Sequence, residues 1–398
     1  MGWVLGLGNG VVFRTGGGKQ WQTYWTPSSA VVENVAPADV VLTYAKAVNP
    51  ADAIAGNFTV AGKTINSATL DGTGKILTLV VDTAFIYNDS ISVVANSETI
   101  PVTNNVAAIL NNVTDAAAAY SVRQIKSDYT GYCMKVRRSS DDTELDIGFL
   151  NRALDTVSLL AFVGAGDGFV STLYDQSGNG IDITIAEALQ PQIVDAGTLV
   201  VGDTGLPAWM TDGVDDGFSA TIAALVNAPA LSFFFVYSSA LAAAANTASC
   251  HLWHIGNNNV DTKILDRSSS SSLLTGEYLL FDVRKNGNAN DRIGSSSYRL
   301  SADTLNLEST FILSTGITAY QNGSAIDLDL TNLCNVTDNF TPAAENVSNI
   351  IDFSCLRVSG ALALFTSLKY SEIILYVSDK SVNRATVETE QTLFFSIV

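Results

Sequence analysis

Residues 169–184 read FVSTLYDQSGNGIDIT and predict a strand, a polar loop and a second strand. Apolar and small side chains alternate from Phe169 to Tyr174, a pattern typical of a half-buried strand. The run from Asp175 to Gly180 interrupts it with residues that tolerate a left-handed backbone. Similar β-rich runs separated by turn residues follow as far as the carboxyl terminus, so we predict an all-β fold for this part of the chain.

Four segments upstream carry a family resemblance. Residues 119–125 read AYSVRQI, 129–131 YTG, 136–142 VRRSSDD and 146–149 DIGF. With residues 169–184, and in this order, they resemble the start of the catalytic domain of the fungal α-L-arabinofuranosidase B family and similar modules in structural proteins of tailed bacteriophages. The resemblance implies a concanavalin-like, laminin-G-like jelly-roll sandwich with short helices over residues 119–398.

The part of the chain before this domain divides into three. Residues 37–108 hold short β-rich runs at regular spacing between turn residues, which predicts a small sandwich, and they resemble bacterial Ig-like spacer domains. Residues 109–118 form a linker. Residues 1–36 show no clear period and are rich in aromatic side chains, so we predict an anchoring arm that docks on another protein through Trp3, Trp21, Tyr24 and Trp25. The alternative is that this segment folds back as extra strands on the next domain.

Several local structures can be predicted inside the larger domain. Residues 115–126 and 156–162 are expected to be helical, the first with Asp115 as its cap. Residues 231–237, LSFFFVY, predict a strand buried on both faces. Asn322 and Gly323 favour a type I′ hairpin turn within residues 319–326. Residues 205–216 are expected to form an opening hairpin and 371–377 a closing strand.

Charge and cysteine content exclude several classes of function. The formal net charge of −18 argues against nucleic acid or an anionic membrane surface as a partner, since both would repel the protein. The four cysteines are widely spaced, so they indicate neither a zinc site nor a disulfide framework.

Glycines interrupt the segment from Met1 to Val12, which does not resemble a signal peptide. We therefore expect a protein made in the host cytoplasm and assembled into a virion.

The family pattern places a catalytic glutamate in a Gly-Asn-Ala-Glu-Thr-like segment and a general acid in a Gly-Gly-Asp-Asn-Ser-like turn. The corresponding residues 254–262 read HIGNNNVDT, without a glutamate, and residues 357–362 read RVSGAL, without an acid. A glycosidase needs two carboxyl groups at the scissile bond. We therefore expect the chain not to be an enzyme.

Binding of carbohydrate requires only an aromatic platform and a few planar polar groups. Candidate residues of this type in the larger domain are Tyr174, Asp175, Trp209, Trp253, Asn257, Asn258 and Asn259. Asp212, Asp215 and Asp216 cluster on one predicted turn and are weak candidates for binding Ca²⁺, although aspartates in glycine-rich turns commonly bond their own backbone. We expect no other metal and no cofactor.

Two hypotheses from different classes follow. The first is a bacteriophage virion structural protein, a fibre or decoration protein of head or tail, whose lectin-like jelly roll binds host-surface carbohydrate without catalysis. Its partners would be capsid, portal or tail proteins and copies of itself, with a trimer as the expected oligomer. The second is a glycoside hydrolase of the α-L-arabinofuranosidase type whose carboxylates have moved to other positions.

Overall fold

The computed structural model describes residues 26–95, 98–239, 250–256, 264–270, 278–285, 288–295, 304–313, 316–328, 348–358 and 361–397. Contacts between Cα atoms divide the chain into two compact units, residues 1–107 and 108–398. The predicted anchoring residues Trp3, Trp21, Tyr24 and Trp25 lie outside the described residues, as do Asn257, Asn258 and Asn259. None of the helices in the described residues has the length and apolarity needed to cross a membrane.

The first unit is a seven-stranded β-structure. Its strands are Ser29–Glu33 (β1), Ala36–Thr43 (β2), Phe58–Val60 (β3), Ile65–Leu70 (β4), Ile76–Val81 (β5), Ile91–Ala95 (β6) and Glu98–Asn105 (β7). They neighbour one another in the order β3, β6, β7, β1, β2, β5, β4. One 3₁₀ turn covers Ala55–Asn57. The core contains alternate strand residues such as Val40, Leu42, Leu77 and Leu79, which are fully buried.

Strand β1 lies within the segment predicted as the arm. Its residues pair with β2 in antiparallel and with β7 in parallel orientation. Ala30 and Val32 are buried while Ser29 and Glu33 are exposed, so the alternation of side chains fixes this segment to the first unit. Residues 29–33 therefore form a strand of the first unit.

The second unit contains three helices and 23 of the described strands. Those up to residue 239 are α1 (Ile109–Asn112), β8 (Ala118–Ser121), β9 (Met134–Arg138), β10 (Glu144–Ile147), β11 (Phe149–Leu150), β12 (Ala153–Leu154), α2 (Thr156–Val163), β13 (Gly168–Leu173), β14 (Ile183–Thr184), β15 (Gln192–Asp195), β16 (Thr198–Leu199), β17 (Trp209–Met210), β18 (Phe218–Thr221) and β19 (Leu231–Ser239). Those beyond it are β20 (Cys250–Ile255), β21 (Ile264–Ser270), β22 (Tyr278–Lys285), β23 (Asn288–Ser295), β24 (Leu305–Leu313), β25 (Gly316–Gln321), β26 (Ser324–Ala325), β27 (Ile350–Phe353), β28 (Leu356–Val358), β29 (Ala361–Ala363), β30 (Leu368–Tyr376) and α3 (Arg384–Phe395). Single 3₁₀ turns cover Glu187–Leu189, Ala223–Leu225 and Ser381–Asn383.

Two sheets of this unit form a sandwich. The larger sheet has the path β10-β9-β13-β15-β17-β30-β19-β24-β25-β26, with β14, β16 and β8 pairing beside it. The other sheet has the order β18-β27-β20-β21-β22-β23. Aromatic rings of the two sheets pack against each other in the core. The ring centre of Phe233 of β19 lies 4.7 Å from that of Trp253 of β20, and the ring centre of Phe235 lies 6.4 Å from that of Phe353. The prediction of an all-β, jelly-roll-like fold with short helices is confirmed.

Helix α3 covers the outer face of the larger sheet. Val387, Gln391 and Phe395 recur every four residues and are fully buried. Beneath this helix, Arg123 forms an ion pair with Glu372 of β30, with 2.8 Å between Nε and Oε2. Gln391 Nε2 donates to the same carboxylate at 3.0 Å, and the guanidinium lies 5.0 Å from the Phe394 ring. The helix is thus fastened to the sheet by contacts of Gln391 and Phe394 with this ion pair, and by Glu390, whose Oε2 lies 3.7 Å from Arg123 Nη1.

Candidate functional site

A row of side chains crosses four neighbouring strands on one face of the larger sheet. Arg137 of β9 lies opposite Phe169 of β13, Phe169 opposite Gln192 of β15, and Gln192 opposite Met210 of β17. Directly opposed residues in a sheet project to the same side, so these four side chains form a continuous floor. The turn of residues 212–216 follows β17 directly and supplies the wall of a pocket of 410 Å³.

We call this site the acidic pocket and define it by all of its lining residues. They are Arg137, Phe169, Glu187, Ala188, Gln190, Gln192, Met210, Asp212, Asp215 and Asp216. The five carboxyl and guanidinium groups among them comprise four potential negative charges and one positive charge.

The positive charge of the pocket is held in one place. The Arg137 guanidinium lies 5.1 Å from the centre of the Phe169 ring. Its Nε donates to Gln190 Oε1 at 2.8 Å and its Nη1 to Asp142 Oδ1 at 2.6 Å. Gln190 is itself buried and donates to the carbonyl of Ile185 at 3.1 Å. Arg137 is therefore a fixed part of the floor.

The turn of residues 212–216 is shaped by its own aspartates. Asp212 Oδ1 accepts backbone N–H groups from Val214 at 2.7 Å and from Asp215 and Asp216 at 3.3 Å each. Asp216 Oδ2 accepts the Asp212 N–H at 3.0 Å. Gly213 has a φ of +80°, and a Cβ there would lie 2.9 Å from the Ser367 nitrogen, so the turn requires glycine. Asp212 and Asp216 thus bond the backbone of their own turn, as is common for aspartates in glycine-rich turns.

The three aspartates also come close to one another. One carboxylate oxygen from each of Asp212, Asp215 and Asp216 lies within 4.8 Å of the others. Burial raises the pKa of the Asp216 carboxyl to about 7, and the charges of Asp212 and Asp215 add to the shift. Asp216 is therefore protonated below about pH 7 beside two exposed carboxyl groups, an arrangement that acid catalysis uses. The same oxygens could take part in holding Ca²⁺, which remains a prediction.

The predicted carbohydrate-binding residues do not lie together. Trp209 and Trp253 are fully buried in the sandwich, where Trp209 stacks on Tyr370 and Trp253 contacts Phe233. A buried ring has no face free for a sugar, so the prediction that Trp209 and Trp253 stack on carbohydrate is wrong. Tyr174 is half-buried beside the sheet and donates its hydroxyl to Asp146 Oδ1 at 2.6 Å.

Asp175 has a structural position. Its carboxylate accepts the Ala119 and Ser177 N–H groups at 2.9 Å each, the Ser177 hydroxyl at 2.7 Å and the Ile181 N–H at 3.1 Å. The side chain is buried and its oxygens are occupied by the protein. Asp175 therefore shapes the loop of residues 175–182 and is not a sugar ligand.

Other buried carboxylates of the second unit are also committed to structural bonds. Asp352 pairs with Arg357 at 2.7 Å and accepts the Ser219 hydroxyl at 2.6 Å. Glu308 accepts the Tyr237 hydroxyl at 2.9 Å. A larger pocket of 630 Å³ has Asp115 as the one carboxylate in its lining and so lacks a catalytic pair. Of the sites built from described residues, we therefore take the acidic pocket as the candidate.

The comparisons with known proteins bear on the same segment. Residues 110–205 match the family model described as the catalytic domain of α-L-arabinofuranosidase B. This match contradicts the expectation, based on two motif positions, that the chain is not an enzyme. That expectation is wrong. The two motif positions were a weak basis for this expectation, because a fold can present carboxyl groups from other elements.

Solved structures give weaker likenesses. An arabinofuranosidase complexed with arabinofuranosyl-α-1,2-xylobiose is 16% identical with a TM-score of 0.49, and an α-L-arabinofuranosidase soaked with a cyclic sulfate inhibitor is 14% identical with a TM-score of 0.46. Both cover 71% of this chain, which spans 64% of theirs. The binding domain of botulinum neurotoxin DC in complex with SialylT is 14% identical with a TM-score of 0.36, covering 56% of this chain and 48% of its own. No curated protein matches the chain.

Sequence reasoning missed most of the pocket floor. It placed Asp212, Asp215 and Asp216 together but did not join them to Phe169, Gln190 or Gln192. Arg137 was not among the predicted site residues. A signal was nevertheless present, since polar and aromatic residues stand at strand positions where a two-sided core would require aliphatic ones.

Proposed function

We propose that the second unit is a glycoside hydrolase that acts on α-L-arabinofuranosyl groups in the acidic pocket. The observation that carries the proposal is the position of the family match. Six lining residues, Arg137, Phe169, Glu187, Ala188, Gln190 and Gln192, belong to residues 110–205, the segment that matches the arabinofuranosidase catalytic domain. The matched segment thus provides most of the pocket, and the adjoining turn provides three carboxyl groups.

The proposed chemistry uses two neighbouring aspartates. The protonated carboxyl of Asp216 donates its proton to the glycosidic oxygen while the carboxylate of Asp215 attacks the anomeric carbon and the bond to the leaving group breaks. A water molecule then gives a proton to the Asp216 carboxylate and attacks the glycosyl ester, which releases the sugar and restores both groups. Asp212 holds the turn in place through its three backbone bonds.

The spacing of the carboxyl groups predicts the stereochemical outcome. Retaining glycosidases have carboxyl groups about 5 Å apart, whereas inverting enzymes leave room for a water molecule between them. The aspartate oxygens lie within 4.8 Å of one another, so the first sugar released should keep its anomeric configuration. Proton NMR of 4-nitrophenyl α-L-arabinofuranoside during its hydrolysis checks this. Appearance of the inverted anomer first would contradict the assignment of Asp215 as nucleophile.

Calcium would oppose this chemistry if it bound the same turn. A divalent cation favours ionised carboxylates and would remove the proton that Asp216 has to donate. We therefore propose Ca²⁺ at most as an inhibitor of the reaction. Assays with added calcium and with a chelator distinguish catalysis by the turn from binding of Ca²⁺ to it.

The assignment to a virion is a separate proposal. It is supported by the first unit, a separately folded β-structure such as would serve as a spacer, and by the net charge of −18. In that setting the second unit would meet host-surface carbohydrate, and the chain would assemble with virion proteins and with copies of itself, with a trimer as the proposed oligomer. Light scattering on the purified chain tests the oligomeric state, and detection of the chain in purified particles tests the assignment to a virion.

A further inference from the structure

A group of aromatic side chains lies at the far end of the strands that form the acidic pocket. Tyr132 is 50% exposed, and its ring centre lies 6.1 Å from that of Tyr174. Beside them the rings of Tyr129 and Phe149 meet edge to face at 6.3 Å. We call these four residues the tyrosine patch. Its neighbour Leu150 is also 50% exposed, so the surface here is markedly apolar.

Hydrogen bonds hold two rings of the patch in place. The Tyr129 hydroxyl donates to the carbonyl of Tyr132 at 2.8 Å, and the Tyr174 hydroxyl donates to Asp146 at 2.6 Å. Gly131 allows the Tyr129 ring to fold back, because a Cβ at that position would overlap the ring. Rings fixed before binding lose little conformational freedom when a ligand arrives. Tyr129 and Tyr174 are therefore preorganised, and the exposed Tyr132 ring packs against Tyr174.

The patch and the acidic pocket lie on one face of the same strand pair. In the antiparallel ladder of β9 and β13, Arg137 opposes Phe169 and Lys135 opposes Thr172 on this face, with a register shift just before Thr172. Tyr174 follows β13, and because of this shift it lies on the same face as Phe169, where its hydroxyl bonds Asp146 beside Lys135. The distance from Phe169 is at most about 17 Å along the strand. A continuous surface therefore connects the patch with the pocket.

Polar side chains occupy the middle of this surface. Lys135 and Arg137 alternate with buried Met134 and Val136, so both project to the outer face. The Lys135 ammonium lies 4.0 Å from carboxylate oxygens of Glu144 and Asp146. This central part offers hydrogen-bonding groups and carries one positive and two negative side chains, so it would repel an anion. Such a surface suits a neutral, hydroxyl-rich ligand better than an anionic one.

We propose that this surface binds the main chain of a neutral polysaccharide, with sugar rings stacked on the tyrosine patch and their hydroxyls bonded around Lys135. The proposal rests on the proposed function, since it places the bond to be cleaved in the acidic pocket and the flanking chain along β9 and β13. Tyrosine faces recognise the apolar C–H face of a sugar, and continuity with the pocket selects a glycan over a protein partner. Tyr132 is then a specificity-determining residue for long substrates.

The test measures retention of the full-length chain in native gels that contain soluble arabinoxylan. Tyr132→Ala and Tyr132→Leu remove the aromatic face and should weaken retention about tenfold. Tyr132→Phe keeps the ring and should behave like the wild type. Val382→Ala, at a position that is 89% exposed and outside this surface, is the matched control. Hydrolysis of 4-nitrophenyl α-L-arabinofuranoside, which has no main chain, should be unchanged in all four variants.

Each outcome bears on one proposal. Retention of Tyr132→Ala and Tyr132→Leu equal to the wild type would overturn the binding surface, and so would a wild-type chain that arabinoxylan does not retard. Retention that depends on Tyr132 in a chain without hydrolytic activity would keep the surface and refute the proposed function. If Tyr132→Ala lost binding to an added protein partner while its retention by arabinoxylan stayed at the wild-type level, the patch would be a protein interface.

Discussion

Asparagine in place of Asp216 should lower the turnover of 4-nitrophenyl α-L-arabinofuranoside by about 10² to 10⁴-fold, the range that a general acid contributes. The amide cannot donate a proton as the carboxyl does. Its oxygen can still accept the Asp212 N–H, the bond that the carboxylate makes at 3.0 Å. Folding should therefore be preserved, and initial rates at pH 6 measure the loss.

Asp195→Asn is the matched control for this variant. Asp195 is an exposed aspartate at the end of β15, the strand that contributes Gln192 to the pocket, but it does not line the pocket itself. Asp195→Asn makes the same carboxyl-to-amide replacement outside the pocket and should retain wild-type turnover. Equal losses in both variants would show that the effect at Asp216 is not specific to the pocket, and full activity of Asp216→Asn would exclude Asp216 as the acid.

Alanine in place of Arg123 should destabilise the second unit by about 3–5 kcal/mol, the cost of leaving a buried charge without its partner. Arg123 and Glu372 are both fully buried. Removal of the guanidinium also takes away the contacts with the Phe394 and Phe395 rings at 5.0 and 5.6 Å. Urea unfolding followed by tryptophan fluorescence measures the effect, since Trp209 and Trp253 both lie in this core.

The double variant Arg123→Met, Glu372→Leu separates the ion pair from packing. With both charges gone no unpaired carboxylate is left at position 372, the nearer of the two acidic partners of Arg123, and apolar replacements of similar volume often restore stability. The double variant should therefore be more stable than Arg123→Ala. If it is equally unstable, the loss comes from the contacts of Arg123 with Glu390 and the aromatic rings and not from an unpaired Glu372.

Local patterns predicted those elements whose structure depends on neighbours in sequence. Helix α2 spans Thr156–Val163 where residues 156–162 were expected, and the Asp155 side chain caps it by accepting the Ser158 N–H at 3.0 Å. Strand β19 is buried on both faces over residues 231–238, as its run of apolar residues indicated. Asn322 and Gly323 both have positive φ in the turn between β25 and β26.

Elements fixed by distant partners were predicted incorrectly. Residues 118–121 form strand β8 instead of a helix, because they pair with residues 372–375 of β30. The expected hairpin at 205–216 does not form, since β17 joins the larger sheet and β18 the other one. Helix α3 was missed although the spacing of Val387, Gln391 and Phe395 is helical.

The candidate site shows the same limit of sequence reasoning. The three aspartates are close in sequence, so their cluster could be predicted. Phe169, Gln192 and Met210 meet only through the pairing of β13, β15 and β17, a register that no local pattern specifies. Likewise, the shift of the Asp216 pKa depends on burial that the turn acquires only in the folded domain.

The pH dependence of hydrolysis by the wild-type chain tests the central claim most directly. Because Asp216 donates its proton and its pKa is about 7, turnover should be highest below pH 7 and fall about tenfold per pH unit above it. Initial rates with 4-nitrophenyl α-L-arabinofuranoside across this range, with a chelator present, give the profile. Hydrolysis that declines through pH 7 supports a hydrolase with Asp216 as its acid. Absence of hydrolysis at every pH, or a rate that rises through pH 7, would contradict it.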